Sequence, residues 1–85
     1  MANHCFKLQQ LTAGEMNAVK YTMRFFTKRG VKVTYLRRVV YIHLQEDQKY
    51  TVIGIMLARY HRADKLQASA ANMAWINKWH PDFRK

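Results

Sequence analysis

Hydrophobic residues recur at two different spacings along the chain, and these spacings predict both helices and strands. A first helix is expected from Thr12 to about Arg29. Thr12 and Glu15 have the spacing of a capping box, and Gly30 suits the left-handed position that ends a helix. Four apolar residues of this segment share one helix face: Met16, Val19, Met23 and Phe26.

Strand periodicity precedes and follows this helix. Residues 4–9 are expected to form a short strand. Residues 31–35 alternate between apolar and polar side chains, and residues 39–45 form a run of β-branched and aromatic residues. These runs predict three strands.

Residues 50–57 fit two different structures. Their Thr, Val and Ile residues favour a strand, and Gly54 weakens a helix. Alternatively, Asp47 caps a helix that runs to His61. Because β-branched residues are prominent in the segment, we predict a strand here and a turn over residues 46–48.

The last segment has helical spacing and two apolar faces. Asp64 is expected to cap a helix from Lys65 to about Trp79, which Pro81 ends. One stripe is Leu66, Ala70, Met73 and Ile76, and the opposite stripe is Ala68, Ala71, Trp75 and Trp79. The sheet buries one stripe. Either loops, the first helix or the C-terminal residues cover the other, or it is a partner or homodimer surface anchored by Trp75 and Trp79.

These elements predict one small α+β domain over residues 1–85. Their order is β-α-β-β-β-α, with both helices packed on one face of an antiparallel sheet. A chain of 85 residues has room for a single domain.

Charge indicates the kind of partner. The chain has 15 Lys and Arg residues against 5 Asp and Glu residues, for a formal net charge of +10. Solubility in a small domain needs a net charge of only about 2 to 8 in magnitude. A positive excess of this size speeds association with polyanions, so we expect an acidic partner.

Several classes of protein are disfavoured. Cys5 is the only cysteine, the first residues do not resemble a signal peptide, and the longest apolar run, residues 52–58, is too short to span a membrane. We therefore expect a cytoplasmic protein. Neither metal-ligand spacing nor a phosphate-binding glycine loop is present. No metal, cofactor or catalytic residue is predicted, so the function is expected to be non-enzymatic.

A basic stretch is the main candidate site. Between Met16 and Leu44 the chain has no acidic residue and seven basic ones: Lys20, Arg24, Lys28, Arg29, Lys32, Arg37 and Arg38. Such residues contact phosphates, and the tyrosines among them can stack on unpaired bases. A second basic group leads into the last helix: Arg59, Arg62 and Lys65. We predict that both groups bind nucleic acid.

Two segments resemble parts of known families. Tyr50-Thr51-Val52, followed by the alanine-rich segment 65–74, is similar to double-stranded RNA-binding domains within the predicted helix–strand–strand–strand–helix order. That resemblance implies binding to A-form duplex by shape and phosphate contacts. Residues 38–62 resemble the C-terminal hairpin of RelE/ParE-type toxins, which implies ribonuclease activity.

The favoured function is therefore non-enzymatic nucleic-acid binding, with DNA and RNA equally compatible with the charge. The first alternative is a small inhibitor or adaptor, of the kind that phages encode, that docks on an acidic surface of a host protein. The second alternative is a RelE/ParE-like toxin or another metal-free ribonuclease, with His61 as acid or base beside Arg59 and Tyr60.

Overall fold

The computed structural model of the chain describes residues 3–59 and 65–80. These residues form four strands and three helices. The strands are β1 (Asn3–Leu8), β2 (Lys32–Leu36), β3 (Val39–Gln45) and β4 (Leu66–Gln67). The helices are α1 (Ala13–Thr27), α2 (Glu46–Arg59) and α3 (Ala70–Trp79).

The strands form one sheet in the order β2-β3-β1-β4, and every neighbouring pair is antiparallel. β3 lies between β1 and β2, which α1 connects. Similarly, β1 lies between β3 and β4, which α2 connects. The connectivity is that of two interleaved split β-α-β units, and it leaves β2 as an edge strand.

One face of the sheet carries the hydrophobic core. Alternate residues of β1 and β3 are buried, and Phe6 pairs with Ile42 while Leu8 pairs with Val40. The three helices contribute further buried side chains to the same cluster: Met16, Val19, Met23, Phe26, Val52, Ile53, Met56 and Ile76. The predicted small α+β domain with an antiparallel sheet is thus confirmed. Its element order is β-α-β-β-α-β-α with three helices, not the predicted β-α-β-β-β-α with two.

The start and end of α1 follow the predicted signals. The Thr12 hydroxyl accepts a hydrogen bond from the backbone N–H of Glu15 at 3.2 Å, and the Glu15 carboxylate accepts one from the Thr12 N–H at 2.9 Å. The capping box is therefore complete. Gly30 has a φ of +89° and follows the last turn, where a residue with a Cβ would be strained.

The predicted strand over residues 50–57 is wrong, because these residues lie in α2. Lys49, Val52, Ile53 and Met56 are buried at helical spacing, so the segment faces the core as a helix. The predicted turn over residues 46–48 is the first turn of this helix. The sequence contains a signal for this helix start, because Gln48 stands three residues after Gln45, the spacing of a capping box. In the structure the Gln48 side chain accepts a hydrogen bond from the Gln45 N–H at 3.0 Å, which is one half of that box.

This correction removes the structural basis of both family resemblances. A double-stranded RNA-binding domain needs three consecutive strands, and the toxin hairpin needs a second strand after residue 45. In the structure β3 is followed directly by α2. Core burial of the helix outweighs the β propensity of its Thr, Val and Ile residues, which amounts to tenths of a kcal/mol per residue.

The last helix begins later than predicted. Ser69 is the N-cap of α3, and its hydroxyl accepts a hydrogen bond from the Asn72 N–H at 3.3 Å. Leu66 lies instead in β4, which pairs with β1. The predicted stripe from Leu66 to Ile76 is therefore divided between a strand and a helix. Asp64 and Pro81, predicted to start and stop the helix, lie outside the described residues.

A polar network joins α3 to the rest of the domain. The Lys49 ammonium donates to the Asn72 side-chain oxygen at 3.1 Å and lies 3.0 Å from the Glu46 carboxylate. Trp75 donates its indole N–H to the same Asn72 oxygen at 2.9 Å. On the other side, Nδ1 of His4 lies 3.1 Å from the Asn72 amide nitrogen. The side-chain amide of Asn72 thus connects α3 to both β1 and α2.

A second ion pair fixes β4 beside α1. The Lys65 ammonium donates to the Glu15 carboxylate at 2.9 Å and to the backbone oxygen of Gln10 at 3.0 Å. The hydrogen bonds from Lys65 and from the Thr12 N–H lower the pKa of Glu15 to about 2. The same carboxylate therefore caps a helix and anchors an edge strand.

Replacing Asn72 with Ala is expected to lower the free energy of unfolding by about 1–3 kcal/mol, because the Trp75 indole N–H loses its acceptor and the buried Lys49 ammonium keeps only Glu46. Urea denaturation measures the change. Asn77→Ala makes the same substitution on the exposed side of α3 and is expected to be nearly neutral. Equal effects of the two substitutions would contradict the role assigned to the network.

Glu15 is expected to make the stability depend on pH in the acid range. Its pKa is 4.5 in the absence of these contacts and about 2 in the fold. The stabilisation is therefore complete above pH 4.5 and is lost as the pH falls from 4.5 towards 2. Thermal unfolding of the wild type and of Glu15→Gln should differ at neutral pH and converge near pH 2.

Asp47→Asn is the control for the loss of one carboxylate, since Asp47 is exposed in the first turn of α2. A Glu15→Gln protein as stable as the wild type at neutral pH would contradict this account.

Candidate nucleic-acid interface

The outer face of α1 carries a row of exposed cations. The apolar residues of this helix point into the core, so Lys20, Arg24 and Lys28, at spacings of four residues, point outward. From Lys20 to Lys28 the helix axis rises about 12 Å. That distance matches about three to four base-pair steps of a B-form duplex.

The edge strand β2 lies beside this row of cations. The Lys20 ammonium lies 5.5 Å from the centre of the Tyr35 ring, so α1 and β2 meet there. Tyr35 is 37% exposed, and its partial burial raises the pKa of its hydroxyl. Lys32, at the start of β2, is also exposed.

The turn between β2 and β3 lies near the start of α1. The backbone oxygen of Arg38 accepts a hydrogen bond from the Leu11 N–H at 3.4 Å, which keeps the turn beside the loop that leads into α1. Arg37 and Arg38 are both exposed. Arg37 has a φ of +56°, a left-handed conformation that is unfavourable for a residue with a Cβ.

The other end of α1 forms an open groove that combines cations with aromatic rings. Its lining residues are Tyr21, Arg24, Phe25, Lys28 and Arg29. The Arg29 guanidinium lies 3.7 Å from the centre of the Phe25 ring and donates to the Phe25 backbone oxygen at 3.0 Å. This stacking holds the Arg29 side chain in one position.

We call the seven cations of α1, β2 and the adjoining turns the basic rim. They are Lys20, Arg24, Lys28, Arg29, Lys32, Arg37 and Arg38. All seven residues of the first predicted group are exposed on α1, on β2 and in the adjoining turns. Lys32 alternates with Val33, which packs on the core, so the Lys32 side chain lies on the sheet face that the helices do not cover. The first group is therefore not one continuous face. Within residues 3–59 and 65–80, no ion pair involves a residue of the basic rim.

The acidic residues that the structure describes lie elsewhere. Glu15 is paired with Lys65, and Glu46 with Lys49 and His4. The Lys49 ammonium lowers the pKa of Glu46 below its usual range. Asp47 lies in the first turn of α2. The positive charge of the rim is therefore not neutralised by any acidic side chain in the described part of the chain.

The second predicted group is not assembled into this surface. Lys65 is engaged with Glu15 and Gln10, so its ammonium already has two partners within the fold. Arg59 is the last residue of α2. Arg62 and His61 lie outside the described residues. The assignment of this second group to a site stays a prediction.

The two tryptophans predicted as interface anchors belong to an aromatic cluster. Trp75 packs edge-on against Phe6, with ring centres 6.3 Å apart, and lies 4.8 Å from Tyr50. Trp79 lies 5.1 Å from Tyr50 and is 57% exposed. Trp75 therefore attaches α3 to the core, whereas Trp79 remains at the surface.

The sequence did not identify the exposure of two aromatic residues on α1. Phe25 was not among the residues assigned to the apolar face, and Tyr21 was only one of several tyrosines among the basic residues; they are 39% and 78% exposed. The signal was available in their spacing. Arg24 and Phe25 lie three and four residues after Tyr21, and Lys28 lies four and three residues after them, which places rings and cations on one helix side.

Other kinds of site find no support in the described residues. No group of three or more His, Cys, Asp or Glu side chains there could hold a metal ion. None of the described helices is long and apolar enough to cross a membrane. No protein-family model, curated protein or solved structure matches the chain.

Replacing Arg37 with Gly is expected to raise the free energy of unfolding by about 0.5–1 kcal/mol. The relief of a left-handed conformation, about 1–2 kcal/mol, exceeds the added backbone entropy of glycine. Urea denaturation measures the change. Arg38→Gly is the matched control, because Arg38 does not have a positive φ and should gain nothing. A lower stability for Arg37→Gly would contradict the assignment of strain to this residue.

Proposed function

We propose that this protein binds nucleic acid through the basic rim and does so without catalysis. The observation that carries the proposal is a set of seven exposed cations on α1, on β2 and in the adjoining turns, with no acidic partner in the described residues. Like charges at four-residue spacing destabilise a helix by a few tenths of a kcal/mol per pair. Such a row costs stability in the helix, and an anion bound along it would offset that cost.

Phosphate contacts would supply the binding free energy. Each phosphate that a lysine or arginine neutralises releases condensed counterions, and the affinity then falls steeply as the salt concentration rises. On the helix, the basic rim offers long, exposed side chains from Lys20 to Lys28, over about 12 Å. These side chains suit a phosphate backbone better than a compact ligand, for which an enclosed pocket is the usual site.

The strained turn gives independent support. A non-glycine residue at positive φ persists only where the surrounding structure or the function maintains it. At Arg37 the side chain is exposed, so packing does not explain the arginine. An arginine at this position places two adjacent guanidinium groups beyond the end of β2. This is a reason to retain an arginine there.

Charge reversal on the rim tests the proposal. Combined substitution of Arg24, Lys28, Arg37 and Arg38 with Glu is expected to abolish binding to DNA and RNA oligonucleotides, while the fold is retained. Arg24→Glu alone should weaken binding by more than about tenfold and reduce the slope of log K against log salt by about 0.7 to 0.9. Fluorescence anisotropy over a salt series measures both.

Lys78→Glu is the matched control, because it makes the same change of charge at an exposed position of α3. It should have a much smaller effect. Urea denaturation should show that Arg24→Glu does not lower the stability, since it replaces two like-charge pairs on α1 with two opposite-charge pairs. Unchanged binding by the fourfold variant would refute the proposal.

Docking on an acidic protein surface is the second candidate. The exposure of Trp79 beside Tyr50 favours it, because tryptophan and tyrosine are enriched at the energetic centres of protein interfaces. The same salt series separates the two candidates. A wild-type protein that binds neither DNA nor RNA even at low salt would favour docking.

A further inference from the structure

Tyr21 is exposed in the middle of the cations of α1. It is 78% exposed, and no contact between aromatic rings in the described residues involves it. Arg24 and Lys28 lie on the same side of the helix. A tyrosine ring at this position contributes little to the core, and the hydrophobic effect disfavours its exposure.

A second flat surface lies in the same groove. The Arg29 guanidinium is stacked on the Phe25 ring at 3.7 Å, and Phe25 in turn packs edge-on against the buried Phe26. This chain of contacts anchors the guanidinium plane to the core. Because Arg29 is exposed, the other side of its plane is available to a ligand. Guanidinium planes, like aromatic rings, stack on nucleic-acid bases.

We propose that this groove holds unpaired bases, so that the ligand of the basic rim is single-stranded nucleic acid. This inference rests on the proposed function. Arg24 and Lys28 contact the phosphates, while the Tyr21 ring and the Arg29 guanidinium stack on bases.

A duplex would contact the cations of this groove but would not stack on its rings. In double-stranded DNA or RNA the faces of the bases are stacked on one another, and exposed rings on a protein reach only the phosphates, sugars and groove edges. Cations alone would bind single strands and duplexes alike. The rings among the cations therefore give single strands a higher affinity than duplexes.

The test compares single strands with duplexes of the same sequence. The probes are oligonucleotides of roughly 12 nucleotides, a length within the range that small single-strand-binding domains occupy, as single-stranded DNA, single-stranded RNA and both duplexes. The wild type is expected to bind the single strands more tightly. Tyr21→Ala should weaken single-strand binding by about 5- to 100-fold, as expected for one lost base stack, and leave duplex binding unchanged.

Two controls separate stacking from charge and from folding. Tyr21→Phe keeps the ring and should retain most of the affinity. Tyr21→Ala should leave the slope of log K against log salt unchanged, because no phosphate contact is lost, whereas Arg24→Gln should reduce it. Trp79→Ala removes another exposed aromatic ring, on α3, and should not change single-strand binding.

The outcomes distinguish this inference from the proposed function. If Tyr21→Ala binds single strands as tightly as the wild type while Arg24→Glu is defective, stacking is refuted and the rim remains a nucleic-acid surface. If duplexes bind as tightly as single strands, the preference is refuted in the same way. If the charge variants bind normally as well, the proposed function itself fails.

Discussion

The pairing of β1 with β3 determines which surfaces of the protein are available. Phe6 opposite Ile42 and Leu8 opposite Val40 place every large apolar side chain of these strands on one face. A slip of one residue would turn the whole set to the other face. Because all three helices must cover this single face, α1 is placed beside β2 with its charged side turned outward.

The attachment of α3 depends on different forces. Ile76 is the one fully buried apolar side chain that this helix contributes to the core in the described residues. Met73 and Trp75 are only partly buried against the core. The other contacts include the hydrogen bonds around Asn72 and the tilted or edge-on rings of Tyr50, Trp75 and Trp79. Polar groups in a buried network bond only in a narrow range of geometries. The network therefore fixes the orientation of α3 more strictly than an apolar contact would.

Local signals predicted much of this fold. The spacing of Met16 to Phe26, the capping box and Gly30 were sufficient for α1, because each depends on residues that are close in sequence. Residues 50–57 were predicted wrongly because their composition favours a strand while their burial requires a helix, and burial depends on distant residues such as Phe6 and Asn72. β4 has two residues, which are too few to show the periodicity of a strand in the sequence.

The candidate site was predictable to a similar extent. A row of cations at helical spacing is visible in the sequence, whereas the proximity of Arg38 to Leu11 depends on the hairpin folding back beside α1. The engagement of Lys65 by Glu15 joins residues 50 positions apart. No local pattern distinguishes such a lysine from an available one.

The position of β2 at the edge of the sheet gives its charges a further consequence. An edge strand presents unpaired backbone groups that invite pairing with another copy, and charged side chains along it prevent this. Lys32, Arg37 and Arg38 lie on or beside β2, so repulsion between these cations keeps two copies apart. A polyanion bound there, as the proposed function requires, would neutralise them and make the complex more prone to edge-to-edge pairing than the free protein.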